Sequence, residues 1–177
     1  MKKKLCVYFD YTCPYCYYGM TDLLSLLPQY PELTVEWIPC EAHPFPESAW
    51  VHSRLASQMM LAAAENGADL IRFHQEVLEA CFVKHLRIDD KDLLLDIAQK
   101  CGADGKKLTL DWENARYEQR VEDHNRLVWE TLTLEAVPCY QSGSYFLKSH
   151  EDVRIPKERL KTFLDHVAER ETESAGW

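Results

Sequence analysis

The apolar residues of this chain change their spacing several times, and each change marks a new element. Leu5-Cys6-Val7-Tyr8-Phe9 is an unbroken apolar run, which suits a strand buried on both faces better than a half-solvated one. From Pro14 the period lengthens. Leu23, Leu24, Leu26 and Leu27 fall on a helical stripe that must stop near Pro28 and Pro31, because proline lacks the backbone donor a helix needs. Leu33-Thr34-Val35-Glu36-Trp37-Ile38-Pro39 then returns to strand character. A strand, helix and strand in so short a span predict a parallel pair joined by a right-handed crossover.

His43-Pro44-Phe45-Pro46 carries the chain away from the sheet, and residues 48–101 are helical in pattern throughout. Three stripes follow one another: Leu55, Met59, Leu61 and Ala62; then Leu70, Phe73, Val77, Leu78 and Cys81; then Leu93, Leu94, Ile97 and Ala98. Gly67 separates the first two, Asp89 or Asp90 is placed to cap the third, and Gly102 follows its end. A longer helix is predicted over residues 111–132, with Val121, Leu127, Val128 and Trp129 among many charges. Val137-Pro138-Cys139-Tyr140 and Tyr145-Phe146-Leu147 flank the turn signal Ser142-Gly143-Ser144, which predicts a short antiparallel hairpin. Pro156 opens a last amphipathic helix holding Leu160, Phe163, Leu164 and Val167, and the polar tail from Glu169 to Trp177 is expected to fray. The organisation expected is an α/β domain from residues 1–46 and 108–177, interrupted by an all-helical insertion over 47–107.

At 177 residues the chain can bury a full core without structural disulfides. Its net charge of -9 opposes binding through nucleic-acid phosphates or an anionic membrane surface, so neither partner is expected. No stretch approaches the roughly 18 to 20 apolar residues that span a bilayer. Met1-Lys2-Lys3-Lys4 resembles the start of an export signal, but the apolar run ends at Asp10 with no small-residue cleavage site, so the cytoplasm is the expected compartment. Seven cysteines cannot all pair within one chain, and a reducing compartment leaves most of them as thiols.

One pair stands apart. Cys13-Pro14-Tyr15-Cys16 lies at the junction of the first strand and the first helix, where unpaired N–H groups and the helix dipole stabilise a thiolate. Cys13 is the expected nucleophile. Cys16, one turn on, is placed to resolve a mixed disulfide between Cys13 and a substrate. Pro14 fits a first turn that needs no N–H from it, and Tyr15 lies where a side chain can meet substrate and tune the redox poise. Half a zinc site is the rival reading, but no second cysteine pair has the required spacing. His74, Cys81 and His85 share one side of a predicted helix with Leu78, which favours packing over metal binding. No metal is expected. Cys6 reads as strand core, Cys101 as a helix end, and Cys40 as the close of the second strand, within possible reach of the redox pair. Trp50, Met59, Met60 and Phe73 could line a groove, though packing among helices explains them as well. The charges over 113–126 read as a solvated helix face.

The run Phe9-Asp10-Tyr11-Thr12-Cys13-Pro14-Tyr15-Cys16-Tyr17-Tyr18-Gly19, the helical insertion after the second strand and the late Val137-Pro138 together resemble the DsbA family of thioredoxin-like proteins. Within it the chain is most similar to the cytoplasmic FrnE-like group and the 2-hydroxychromene-2-carboxylate isomerase group. The resemblance implies a thioredoxin-like fold with an inserted helical subdomain. It also implies a cis-proline at Pro138 facing the redox pair, and Val137 offering backbone hydrogen bonds to an extended substrate. Two features depart from the family pattern. The first strand holds no carboxylate to move protons, since Asp10 lies nearer the turn. Cys139 also follows the proline directly, where it reads as a small residue packed in the hairpin rather than a third redox thiol.

The function expected is thiol–disulfide exchange with protein or small-molecule thiols and disulfides, with no resident cofactor and glutathione conceivable as a co-substrate. One alternative is a glutathione-dependent isomerase or transferase acting on a small aromatic substrate. Its relatives usually carry serine at the position of Cys13 and lack the second cysteine. The other is a polypeptide-binding module in which the thiols are incidental.

Overall fold

A computed structural model describes residues 2–169, so the tail expected to fray lies outside the described residues beyond Glu169. Four strands form one sheet in the order β2-β1-β3-β4. The first strand, β1 (Lys3–Phe9), pairs parallel with β2 (Leu33–Pro39) and antiparallel with β3 (Ala136–Ser142). Being flanked on both sides, β1 needs apolar residues on both faces, and Leu5, Val7, Tyr8 and Phe9 are all buried. The last strand, β4 (Tyr145–Ser149), closes the hairpin with β3, turning at Gly143 with φ of 58°. The β3–β4 register slips between Ala136 and Tyr140, around Pro138, which has no N–H to give to a ladder.

Helix α1 (Pro14–Leu26) begins with proline at its first position and runs into a 3₁₀ turn, Leu27–Gln29, that contains Pro28. It packs on the sheet beside α7 (Lys157–Glu169). The insertion holds the three helices that the stripes predict: α2 (Arg54–Glu65), α3 (Leu70–Phe82) and α4 (Lys91–Lys100). The first starts later than its pattern, at Arg54. Residues 48–53 form a loop in which Val51 is buried and the Trp50 carbonyl accepts a hydrogen bond from Arg87. Asp90 is the cap of α4, accepting from the amides of Asp92 and Leu93, and Gly67 and Gly102 take positive φ at the helix ends.

The long helix expected over 111–132 begins only at residue 115 and changes its winding at residue 126, and a short helix that the pattern does not predict precedes it. A short α5 (Gly105–Asp111) starts at an Asp104 cap, and α6 (Ala115–Asn125) starts where the Asn114 side chain accepts from the Arg116 amide. Asparagine competes with helical hydrogen bonding in this way, which keeps α5 and α6 separate. The last turn, Arg126–Thr131, is π-helical, a wider winding that often accompanies functional sites. The charges of α6 lie on a solvated face, as their pattern suggests, and several are paired there. Arg116 and Arg120 both reach Glu65 on α2, and Arg116 also reaches Asp111, while the buried ring of Tyr117 donates its hydroxyl to the same carboxylates. No described helix is long and apolar enough to cross a membrane.

Candidate functional site

Cys13 is the N-cap residue of α1, in extended conformation (φ -84°, ψ 123°). No side chain caps this end, so the first amides of the helix face the sulfur instead. Cys13 is half-exposed and Cys16 fully buried, which divides them into a thiol that can meet solvent and one that cannot. The Cys13 thiol is lowered to about 7. The largest cause is a hydrogen bond from the Cys16 side chain; the amides of Cys16 and Tyr15 also lower it, against opposition from burial and from the Asp10 charge. The helix start therefore assists, but the partner thiol leads. Cys16 moves the other way, well above its ordinary value, through burial first and then through its bond to Cys13 and the charge there.

The first strand itself holds no carboxylate, as expected, but Asp10 at its end is a buried acid beside the pair. It follows Phe9 directly and is 1% exposed. One carboxylate oxygen accepts from the amide and hydroxyl of Thr12, and the other accepts from the Ala42 amide, each at 2.7–2.8 Å. Its own amide reaches the Cys16 sulfur at 3.4 Å, and its carbonyl accepts from the Cys13 amide at 3.2 Å. Asp10 thus ties the loop that presents Cys13 to the chain leaving β2.

The loop after β3 forms the opposite wall. The Val137–Pro138 peptide is cis, and the Cys13 thiol approaches the Val137 carbonyl at 3.7 Å. The pairing of β3 with β1 ends at Cys139 opposite Tyr8, so Val137 lies beyond the last paired residue of that ladder. Tyr15 and Val137 line a recess of about 430 Å³ that Cys13 opens into, while Pro138 packs against α1 through Gly19. Pro14 is exposed at the helix start.

Glu41 is a second residue that the sequence pattern does not reveal. It is 2% exposed, and its carboxylate takes a two-pronged ion pair from Arg54 of α2 and a hydrogen bond from Asn125 of α6. Its amide donates to the Asn125 side chain, and its carbonyl accepts from the Trp129 indole in the π-helical turn. Three elements outside the sheet are thereby fixed to the wall of the Cys13 recess. An unpaired carboxylate at this depth would be strongly destabilising, so Arg54 is integral to that wall.

Cys139 and Cys40 are held by backbone contacts of their own. Cys139 is buried, accepting from the Ser149 amide and donating to the Ala136 carbonyl, and Cys40 donates to the Phe9 carbonyl. His74, Cys81 and His85 do not converge: the buried His74 ring is hydrogen-bonded to Tyr11 at 2.8 Å, and His85 lies past the end of α3 in positive φ. Met59, Met60 and Phe73 are core, whereas Trp50 is 56% exposed.

A DSBA-like thioredoxin domain profile matches residues 4–141, more than three quarters of the chain and inclusive of every residue of the Cys13 wall up to Pro138. The chain belongs to this DSBA-like family. Solved structures agree in fold. A Nitrosomonas europaea protein, provisionally described as a protein disulfide isomerase, superposes with a TM-score of 0.74 at 17% identity, covering 94% of this chain and 97% of its own. A thioredoxin-like oxidoreductase from Silicibacter pomeroyi DSS-3 gives 0.66 at 18% identity over 95% and 87%. The thiol-disulfide exchange protein alpha-DsbA2 from Wolbachia pipientis gives 0.67 at 18% over 93% and 81%. No match is found among curated proteins.

Proposed function

We propose that this DSBA-like chain exchanges its Cys13–Cys16 pair with protein thiols and disulfides, in the cytoplasm and without a resident cofactor. The observation that carries the reading is the placing of the pair: Cys13 stands partly exposed at the start of α1 beside the cis Val137–Pro138 peptide, with the buried Cys16 one turn behind it, and the two thiols are displaced in opposite directions, Cys13 down to about 7 and Cys16 well up. In the reductive direction the Cys13 thiolate attacks one sulfur of a substrate disulfide, a bond forms between them, and the other substrate sulfur departs as thiolate. Cys16 then attacks Cys13. The Cys13–Cys16 disulfide forms, the second substrate sulfur leaves, and two electrons have passed from the chain to the substrate. Oxidation of a substrate dithiol is the same sequence reversed.

The causes of the Cys16 shift favour this order. Two of the three largest, the hydrogen bond to Cys13 and the charge there, disappear once Cys13 is held in a mixed disulfide. Cys16 is thus kept protonated while Cys13 waits and becomes easier to ionise when its attack is needed. The low value of Cys13 matters more for leaving than for attacking. At pH 7 it raises the thiolate fraction to about half, from about 3% for an ordinary thiol. Lower intrinsic nucleophilicity cancels most of that gain, whereas a stabilised thiolate departs faster from a disulfide. Pro14, Tyr15, Val137 and Pro138 are assigned to substrate contact around the pair.

Turnover of insulin disulfides by the reduced protein in the presence of dithiothreitol tests the reading. Acceleration that vanishes in Cys13→Ser is the expected result; equal turnover in that variant would leave the thiols incidental.

A further inference from the structure

The recess that Cys13 opens into has walls of one sign. Glu41, Glu135, Glu151 and Asp152 contribute to it, together with His43 and His150, and no lysine or arginine does. Two of the four carboxylates are accounted for. Glu41 is paired with Arg54, and Glu135 is bonded to His150 at 3.0 Å. Glu151 and Asp152 are exposed and have no cation within ion-pair distance among the described residues. The basic residues on the same stretch of chain are turned elsewhere: Arg154 lies over the Tyr18 ring at 4.3 Å and reaches Asp22, and Lys148 lies over Phe146. Trp129 adds an aromatic surface to the same recess.

A second recess of about 290 Å³ adjoins the first, with His43 lining both, Cys13 lining one and Thr12 the other. Trp50, Val51 and Phe82 give it apolar walls. A bound molecule that places its sulfur at Cys13 and also reaches the second recess must run on past His43, as an extended polypeptide does through its neighbouring residues.

Resting on the proposed exchange reaction and naming its substrate class, we propose that the chain selects extended polypeptides with basic residues beside the reacting cysteine. Glu151 and Asp152 attract the basic side chains, and the anionic glutathione disulfide is a poor partner. Uncompensated surface charge of this kind acts on encounter and orientation, and is screened by salt. Each contact is weak, so two carboxylates meeting two charges of either sign separate a basic from an acidic peptide by a rate ratio on the order of tenfold.

Single-turnover kinetics test this with two blocked peptides that are identical except for two lysines or two glutamates beside a cysteine, the cysteine carried as its 2-pyridyl disulfide. The reduced protein's attack on the peptide sulfur releases 2-thiopyridone, and Cys16 then frees the peptide thiol as the protein is oxidised. Each rate is divided by that of 2-mercaptoethanol with the same peptide, which removes the peptides' intrinsic reactivity. The expected result is a lysine-to-glutamate ratio on the order of tenfold at low salt. It should collapse towards one in concentrated sodium chloride, and shrink to less than about threefold in the double variant Glu151→Gln, Asp152→Asn. Asparagine keeps the positive φ of 57° that Asp152 adopts accessible. A ratio of one in the unmodified protein, or an unchanged ratio in the double variant, overturns the proposal. Release no faster than that of Cys13→Ser with both peptides would instead overturn the exchange reaction itself.

Discussion

Gly19 faces Pro138 so closely that a β-carbon on residue 19 would stand 2.7 Å from the proline Cγ and 2.7 Å from the Tyr140 hydroxyl. Helix α1, which presents Cys13, is thereby set directly against the loop that forms the opposite wall. The ring carbon of a proline cannot rotate aside, so a larger residue must push the two apart.

Gly19→Ala is accordingly expected to destabilise the protein even though alanine favours helix. The helical gain is about 0.5–1 kcal/mol, whereas overpacking a filled contact costs typically about 1–3 kcal/mol. A net loss of roughly 1–2 kcal/mol should appear in urea unfolding as a lower midpoint with unchanged slope. A variant as stable as the parent would mean that α1 and the Pro138 loop are not in this contact.

The parts legible in the sequence are those that local chemistry decides. Leu5-Cys6-Val7-Tyr8-Phe9 has one good use, a central strand, and Cys13-Pro14-Tyr15-Cys16 marks its own helix start. The start of α6 also has a local signal, since the Asn114 side chain caps it. The burial of Asp10 has none. It depends on the Ala42 amide, which lies 32 residues away in the chain and arrives only when β2 pairs with β1. Glu41 is similar: an acid among prolines and histidines reads as loop until Arg54 and Asn125 close over it from two different helices. The π-helical turn brings Trp129 onto the Glu41 carbonyl, a contact that helical periodicity cannot foresee.

The lowered Cys13 value has a separable cause. Because the largest contribution is the hydrogen bond from Cys16, Cys16→Ala should raise the Cys13 pKa from about 7 toward the ordinary thiol value near 8.5. Cys16→Ser, whose hydroxyl can still donate, should hold it lower. The pH dependence of iodoacetamide alkylation, checked by thiolate absorbance, reads both values. Equal midpoints in Cys16→Ala and the parent would assign the shift to the helix amides instead. The sign for stability follows from the same depression. Reduced protein gains from the Cys13 thiolate fully above the unfolded pKa, and loses that gain as pH falls toward 7.

His74 behaves oppositely to a histidine with an acidic partner. Its Nδ1 meets the Tyr11 hydroxyl, its Nε2 has no hydrogen-bond partner among the described residues, and Phe9, Trp37 and Phe73 surround the ring. Burial alone lowers its pKa to about 3. Between about pH 6.5, where the unfolded chain takes up this proton, and pH 3, where the folded chain finally does, the unfolded state binds more protons. Stability must therefore fall as the solution is acidified through that window, by up to about 1.4 kcal/mol per pH unit from this residue. Replacing the pair together, as Tyr11→Phe with His74→Phe, removes the titrating ring without stranding the tyrosine hydroxyl. Carboxylates titrate in both proteins, so the difference in unfolding free energy measured at pH 7, 6, 5 and 4 isolates His74. The parent should lose stability relative to the double variant at each step below 6.5. A constant difference would mean that the ring is protonated, or reached by water, in the folded chain.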